Sequence, residues 1–256
     1  MQGRMLRHDR RECTQLRSLR VQFDLYGYAP SSALLSCGGT TVLCAINLQC
    51  GVPQFLRGDG VGWLTAEYGM LPAATSMRTP REASTMRRNG RCVEIGRVIG
   101  RSLRAVCNLS VLGERTITID CDVLQADGGT RTACITAASI ALQRAQDRWL
   151  ADGTIESPIM TDEIAAVAVG LLGGRPVVDP DCMEDRQLTA DFNFIMTRSG
   201  KLVEVQGGAE KEPVSWQEFE QLRTHAQQGM EKLFAFFESA YGRPSRESAS
   251  REKQTE

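Results

Sequence analysis

Apolar and polar residues alternate most regularly over residues 116–124, "TITIDCDVL". Successive side chains of an extended chain point to opposite faces, so this pattern predicts a strand with one buried face and one polar face. The threonines and aspartates of the segment share the polar face. The apolar face comprises Ile117, Ile119, Cys121 and Val123.

Further apolar segments predict five additional strands. Residues 33–48, "ALLSCGGTTVLCAINL", predict two strands around a Gly-Gly pair. Residues 164–172, "IAAVAVGLL", are apolar throughout and predict a buried strand. Residues 191–197 and 202–206 alternate on either side of the turn "RSGK", which predicts a hairpin.

Three segments have the spacing of helices. Residues 93–107 place apolar side chains along one stripe, although Gly96 and Gly100 weaken the helix. Their four-residue spacing also permits close packing against a neighbouring element. Residues 132–150 predict a second helix, and "SWQE" at 215–218 is a capping box that predicts the start of a third.

The remaining residues contain many glycines and prolines. Residues 51–62 predict a Gly-rich connection, and residues 63–92 are expected to be mostly irregular. Residues 243–256, "RPSRESASREKQTE", predict a disordered tail. No linker divides the rest. We therefore expect one α+β domain over residues 1–242, with mixed sheets packed against helices and built from two similar halves.

The composition is that of a soluble protein. Hydrophobic residues make up 42% and charged residues 24% of the 256 residues, and no apolar run is long enough to span a bilayer. No secretory signal precedes the first strand, so a cytoplasmic protein is expected. The nine cysteines form no C-x-x-C pair and there are only two histidines, which disfavours a structural zinc site and favours reduced thiols.

Arginine dominates the basic residues and clusters in one region. Only four of the 30 basic residues are lysines. A GC-rich genome accounts for that bias equally well, but not for the clustering. The guanidinium group of arginine can donate two parallel hydrogen bonds to phosphate oxygens, so the cluster is typical of a surface that binds a polyanion. Its members are Arg78, Arg81, Arg87, Arg88, Arg91, Arg97, Arg101 and Arg104.

The segment 125–133, "QADGGTRTA", joins a predicted strand to a predicted helix through two glycines. The glycines let backbone N–H groups approach an anion, and either Thr130 or Thr132 can cap the helix. Arg131 stands at the positive end of the helix, where a cation is repelled unless an anion also binds. A tight turn with an exposed arginine fits equally well. No Walker motif is present, so the segment indicates a small oxyanion.

A second arginine and an acidic segment add to this candidate site. Arg91 follows Gly90 at an apparent helix start and could converge with Arg131 on one anion, or could lie in a solvated loop. Dense carboxylates are typical of a Mg²⁺ site, of proton transfer or of an acidic surface turn. Asp185 and Asp191 can meet only if residues 186–190 turn back. The acidic residues are Asp179, Asp181, Glu184, Asp185 and Asp191. Neither histidine has an evident partner, and no nucleophile motif is present.

Together these residues resemble the ribonuclease PH family, the phosphate-dependent 3′→5′ exoribonucleases that trim tRNA precursors. The resemblance extends from about residue 8 to about residue 240. The most specific matching segment is "LGERTITIDCDVLQADGGTRTA". The other matching segments are "VPQFLRGDGVGWLTAEYGMLP", "GRCVEIGRVIGRSLRAV", "EDRQLTADFNFIMT" and "LVEVQGGAE".

The resemblance implies an activity and a site. Inorganic phosphate would attack the terminal phosphodiester and release a nucleoside diphosphate, in a reversible nucleotidyl transfer. Asp185 and Asp191 would be the catalytic aspartates that hold Mg²⁺. The chemistry also favours a general acid at the departing 3′ oxygen, for which Asp185 is our hypothesis. The residues expected to bind phosphate are Arg91, Gly129, Thr130 and Arg131.

The resemblance also implies partners. These are tRNA precursors and other RNA 3′ ends, together with five more copies of the chain in a homohexamer arranged as a trimer of dimers. Arg78 and Arg81 match the family's R-x-x-R-E arginines, which implies RNA contact or assembly. Two alternatives are a non-catalytic RNA-binding ring subunit of an exosome-like assembly and a small-molecule phosphotransferase, the latter disfavoured by the missing P-loop lysine.

The chain departs from the family pattern at several positions. The usual N-terminal R-x-D-G-R is "RHDRR" here, with Arg10 in place of the glycine, and Ala73 stands where an arginine is common. "TQLRSL" and "YAPSS" also differ from the usual residues. We expect these departures to affect RNA affinity and assembly, and to leave the phosphate loop and the aspartates untouched.

Overall fold

The computed structural model describes residues 7–81 and 89–241. The predicted tail at 243–256, and Arg87 and Arg88 of the arginine cluster, lie outside these residues. The described chain has an α+β fold, as the sequence predicts, with two sheets and four α-helices. No helix within the two described ranges combines the length and apolar character needed to cross a membrane.

The first sheet has five strands in the order β1-β2-β3-β5-β4. Its neighbours are antiparallel, except that β4 runs parallel to β5. The alternating segment forms β5 and places its apolar residues in the core, as predicted. The strands are β1 (Leu19–Phe23), β2 (Ser31–Cys37), β3 (Thr40–Cys50), β4 (Trp63–Met70) and β5 (Arg115–Gln125).

The second sheet has four antiparallel strands in the order β7-β6-β8-β9. The predicted hairpin is confirmed as β8 and β9. The strands are β6 (Ile164–Leu172), β7 (Arg175–Val178), β8 (Ala190–Thr197) and β9 (Leu202–Ala209).

Helix α2 lies between the two sheets, which is why nearly its whole circumference is buried. It contacts β2, β3 and β5 on one side and β6 on the other. Helix α4 covers β6, β7 and β8, and its predicted capping box is confirmed between Ser215 and Glu218. The helices are α1 (Gly90–Arg104), α2 (Thr130–Ala151), α3 (Cys182–Asp185) and α4 (Trp216–Ala240).

The two glycines of α1 let this helix pack closely on β4. A Cβ at Gly96 would lie 2.9 Å from the carbonyl oxygen of Ala66. A Cβ at Gly100 would lie 3.4 Å from the backbone nitrogen of Ala66. The glycine spacing therefore brings the start of α1 against the first sheet. Two 3₁₀ turns, Gln54–Leu56 and Leu109–Leu112, complete the connections.

The prediction that residues 63–92 are mostly irregular is wrong for its first eight residues, which form β4. This strand buries Leu64 and Tyr68 and pairs in parallel with β5, a partner about 50 residues away. Its local pattern is weak because it is short and followed by breakers. The short elements β1, β7 and α3 were likewise not predicted.

Candidate active site

The glycine-rich loop between β5 and α2 packs against the acidic turn of the second half. Gly128 and Gly129 have φ angles of 78° and 64°, in the left-handed region that favours glycine. A Cβ at Gly128 would lie 2.8 Å from both the carbonyl oxygen of Pro180 and the carbonyl carbon of Asp181. Glycine at position 128 therefore permits an approach that any side chain would prevent.

The N-terminus of α2 has no side-chain cap among the described residues, so the prediction that Thr130 or Thr132 caps it is wrong. The Thr130 hydroxyl lies 3.1 Å from that of Tyr68, and the Thr132 hydroxyl donates 2.9 Å to the carbonyl of Gly129. The N-cap residue is Gly129 itself. The first N–H groups of a 22-residue helix thus lack a side-chain acceptor, and with the helix dipole they favour an anion.

Arg131 connects three elements at this helix end. Its Nη1 donates 2.7 Å to Oε1 of Gln206 on β9, and its Nη2 donates 2.8 Å to Oε2 of Glu94 on α1. Glu94 offsets part of the repulsion between the guanidinium and the positive helix end. Neither Glu94 nor Gln206 was identified from the sequence, because no local pattern distinguishes them from other surface residues.

Arg91 stands at the start of α1 and is exposed. The side chain of Asn89 caps this helix by accepting 3.0 Å from the Arg91 N–H. Burial raises the pKa of Asp185, and the positive charge of Arg91 opposes that shift. Burial also raises the pKa of Tyr68, again opposed by Arg91. Arg91 is therefore within electrostatic range of both the acidic turn and the residue that contacts Thr130.

The two aspartates predicted to be catalytic come together as expected. Asp185 ends α3, and the chain turns back before β8 through hydrogen bonds from the Leu188 N–H to the carbonyls of Glu184 (3.1 Å) and Asp185 (3.2 Å). Burial, aided by the charge of Asp185, raises the pKa of Asp191 to about 6, against the opposing charge of Arg131. The aspartates are thus close enough to repel each other beside Arg131.

Glu210 is a third carboxylate at this site, and the sequence did not single it out. Its negative charge contributes to the raised pKa of both Asp185 and Asp191. It follows β9 directly, within the matching segment "LVEVQGGAE". Three carboxylates around two arginines form a site in which a divalent cation would relieve repulsion.

The other acidic residues of the segment 179–191 have hydrogen-bond or ion-pair partners within the fold. Asp179 is paired with Arg17, with 2.6 Å between Oδ1 and Nη2. Glu184 accepts 2.6 Å from Nε of Arg7. Asp181 caps α3 and lies 2.5 Å from Nε2 of His8, so the expectation that neither histidine has a partner is wrong.

Arg10, at the place of the family's glycine, has a φ of 66°. It lies in the segment whose Arg7 and Arg11 bond to Glu184, next to Asp185. The expectation that the N-terminal departure leaves the phosphate loop and the aspartates untouched stays a prediction. Arg78 and Arg81 are exposed in the loop after β4. The expectation that they contact RNA or another subunit stays a prediction.

Models of two domains of one family match this chain. The 3′ exoribonuclease family, domain 1, matches residues 15–146, and domain 2 of the same family matches residues 162–229. The first range contains the glycine-rich loop, Arg91 and Arg131, and the second contains Asp185 and Asp191. The candidate site thus lies where the two matched regions meet.

Solved structures of three proteins are similar in fold. Rrp46 of rice (Oryza sativa) is 18% identical with a TM-score of 0.74, covering 91% of this chain and 99% of that one. The Archaeoglobus fulgidus exosome with RNA bound to the active site contains a chain that is 21% identical, with a TM-score of 0.76 and coverages of 90% and 92%. An archaeal exosome core contains one at 21% identity and a TM-score of 0.72, with 91% of each chain covered.

Proposed function

Because this chain belongs to the 3′ exoribonuclease family, we propose that it is a phosphorolytic 3′→5′ exoribonuclease. One observation carries the proposal: beside the uncapped start of α2, Arg91 acts electrostatically on Asp185, and Arg131 and Asp185 act on Asp191. A nucleophilic anion and a cation that stabilises the leaving group need such neighbouring sites of opposite charge.

Inorganic phosphate is the nucleophile in this proposal. It would occupy the N-terminus of α2, bound by the N–H groups of Gly129, Thr130 and Arg131 and by the guanidinium groups of Arg91 and Arg131. Phosphate and a phosphodiester repel each other, and these cationic groups offset the repulsion. Holding both reactants in line lowers the entropic part of the barrier as well.

The reaction exchanges one P–O bond for another. A phosphate oxygen attacks the phosphorus of the terminal phosphodiester, and the bond from that phosphorus to the 3′ oxygen of the preceding nucleotide breaks. The products are a nucleoside diphosphate and an RNA shorter by one nucleotide. The departing 3′ oxygen takes up a proton, for which Asp185 is the proposed donor because burial raises its pKa. Reversal of these steps is nucleotidyl transfer.

The carboxylates fit a magnesium ion. The charge of Glu210 adds to the raised pKa of Asp185 and of Asp191, and the charge of Asp185 adds to that of Asp191. Such repulsion is relieved when a divalent cation binds. Mg²⁺ is commonly held by one or two carboxylates together with substrate phosphates and water. We propose Asp185 and Asp191 as its protein ligands, with Asp185 binding the ion only in its ionised form and therefore not while it holds the proton for the departing oxygen. When bound, the ion would stabilise negative charge on the departing oxygen.

We further propose that tRNA precursors and other RNA 3′ ends are the substrates and that six copies form a ring, a trimer of dimers, in the cytoplasm. The arginines of residues 78–104 support RNA as the partner, since Arg78, Arg81 and Arg97 are exposed on the surface. The similar solved structures support assembly, because two of them come from exosomes and one of these has RNA at its active site.

The test is incubation of the protein with a 3′-extended tRNA, with and without phosphate, in the presence of Mg²⁺. Phosphate-dependent release of nucleoside diphosphates is expected. Release of monophosphates regardless of phosphate would indicate hydrolysis and contradict the proposal. Chelation of the divalent metal is expected to stop turnover and leave the thermal midpoint almost unchanged, because Asp185 and Asp191 are held by backbone structure.

A second candidate is a non-catalytic RNA-binding subunit of an exosome-like ring. The similarity in fold to exosome subunits favours it. In that case the protein would bind RNA with an affinity that falls steeply with salt, and would release no nucleotides under any condition. The retained arginines and aspartates favour catalysis instead. The same incubation, followed by an RNA-binding titration at two salt concentrations, distinguishes the candidates.

A further inference from the structure

One buried arginine joins the N-terminal segment to both sides of the candidate site. Arg17 is 7% exposed, although it lies near the start of the chain. Its backbone N–H and its Nε donate to Oδ2 of Asp179 at 2.9 and 3.0 Å, and its Nη2 donates to Oδ1 at 2.6 Å. Both carboxylate oxygens of Asp179, 162 residues away, are thereby held by one residue.

The same guanidinium also holds the glycine-rich loop. Its Nη1 donates to the carbonyl of Asp127, and its Nη2 donates 3.3 Å to the carbonyl of Gly128. Thr40 reinforces this arrangement, because its hydroxyl donates 2.6 Å to the Gly128 carbonyl and accepts 2.9 Å from the Asp127 N–H. One planar group therefore sets the spacing between the loop and the turn that begins at Asp179.

Holding these carbonyls determines where the loop N–H groups point. A trans peptide is planar, so its N–H points opposite to its C=O. With the carbonyls of Asp127 and Gly128 directed at Arg17, the N–H groups of Gly128 and Gly129 face the other way. The Gly129 N–H precedes those of the first turn of α2, where an anion is favoured.

The acidic turn is held from the same N-terminal segment. Arg7 donates 2.7 Å to the carbonyl of Val178 and 3.0 Å to that of Asp179, and it pairs with Glu184, which is 2% exposed. Arg11 donates 2.9 Å to the carbonyl of Asp179. The segment therefore fixes the backbone from Val178 to Glu184, immediately before Asp185.

We infer that Arg17 is a positioning residue, which orients the phosphate-binding loop and sets its distance from the turn that carries Asp185. The inference rests on the proposed function, because it assigns phosphate to that loop. An arginine that only paired with Asp179 would need no contact with the loop carbonyls. The shared guanidinium makes the geometry of the phosphate site depend on a residue that does not touch phosphate.

The test uses Arg17→Lys in the full-length chain, with Arg20→Lys as its matched control. A lysine keeps a positive charge beside Asp179, but it lacks the planar guanidinium that also donates to the carbonyls of Asp127 and Gly128. Arg20 is exposed on β1, three residues away, and keeps its charge in the control. The measurements are KM for phosphate and kcat at saturating RNA, the dissociation constant of inorganic phosphate by calorimetry, and the thermal midpoint.

Arg17→Lys is expected to raise both KM and the dissociation constant for phosphate by roughly 10- to 100-fold, because a misplaced loop weakens each N–H contact. The value of kcat is expected to change less than about threefold, and Arg20→Lys to match the wild type in every measurement. KM does not depend on the concentration of folded enzyme, so a loss of folded protein alone would lower only the maximal rate.

Three results would overturn the inference. A lower thermal midpoint with unchanged KM and unchanged phosphate affinity would show that Arg17 stabilises the fold only. An equal loss in Arg20→Lys would show a general charge effect. A wild-type protein that neither binds phosphate nor uses it would refute the proposed function, and this inference with it. The wild-type measurement separates that last case from the other two. Arg17→Gln, measured at a temperature where it is folded, should show the same rise in KM as Arg17→Lys.

Discussion

Arg131 donates a 2.7 Å hydrogen bond from Nη1 to Oε1 of Gln206, which joins the start of helix α2 to strand β9. The two residues are 75 positions apart. Because the other guanidinium nitrogen bonds to Glu94, the side chain is held in place at the positive end of the helix before any ligand binds. Such preorganisation is what an anion site requires, since the cost of orienting the group has already been met by folding.

Arg131→Ala is expected to lower phosphate-dependent nucleoside diphosphate release by roughly 10²–10³-fold, because one preorganised cationic donor is lost. The thermal midpoint should change little, since the side chain is on the surface of the site. Arg144→Ala, on the same helix but paired with Asp24, is the control and should keep full activity. Undiminished release by Arg131→Ala would contradict the assignment of the phosphate site.

Asp191→Asn is expected to lower turnover by roughly 100-fold or more, because the proposed metal ligand is lost. Its thermal midpoint should be equal to that of the wild type or higher, because burial and the charge of Asp185 disfavour the ionised Asp191 carboxylate in the folded state. Asp59→Asn, at an exposed loop position, is the control for both measurements. A large loss of stability in Asp191→Asn would show that the carboxylate is structural.

Gly128→Ala is expected to separate the phosphate loop from the acidic turn. Its Cβ would lie 2.8 Å from backbone atoms of Pro180 and Asp181, which cannot move independently. Gly153→Ala is a matched control, because Gly153 has a φ of 75° and open space at its Cβ. Gly153→Ala should lose only about 1–2 kcal/mol of unfolding free energy through backbone strain. Gly128→Ala should lose more unfolding free energy than this, as measured by denaturant unfolding. It should also bind phosphate more weakly, as measured by calorimetry.

Arg10→Gly is expected to stabilise the protein. Arg10 has a φ of 66°, a backbone conformation that costs a residue with a side chain about 1–2 kcal/mol. Glycine removes this strain, but it also raises the entropy of the unfolded chain, which offsets part of the gain. A net gain of about 0.5–1 kcal/mol in denaturant unfolding is expected. Arg20→Gly, in strand β1, should destabilise instead. If both variants are less stable than the wild type, Arg10 is not strained.

His8→Gln is expected to change how stability depends on pH. A hydrogen bond to Asp181 raises the pKa of His8 above 6.5, so its stabilising contribution is fully present below pH 6.5 and is lost as the pH rises through the folded pKa. The difference in thermal midpoint between wild type and His8→Gln should therefore be largest near pH 6 and shrink toward about pH 9. His225→Gln, which removes the half-buried histidine of α4, is the matched control.

Much of the fold could be predicted because it depends on neighbours close in the chain. The alternation in residues 116–124, the hairpin of β8 and β9 and the capping box at Ser215 are each encoded within about a dozen residues. The same holds for the glycine-rich loop, whose residues 128 and 129 need left-handed backbone. Strand β4 was missed because its identity comes from its pairing with β5, which no local pattern records.

The sequence by itself determined the candidate residues and their chemical types: arginines at two helix starts, a glycine-rich loop and a dense set of carboxylates. Only the tertiary structure decided which carboxylates form ion pairs inside the fold. Packing pairs Asp179 with Arg17 and Glu184 with Arg7, across more than 160 residues, and leaves Asp185 and Asp191 beside Arg91 and Arg131. The physical reason is that the charge environment of a side chain is set by distance in space, which close packing of the two halves determines and residue spacing does not.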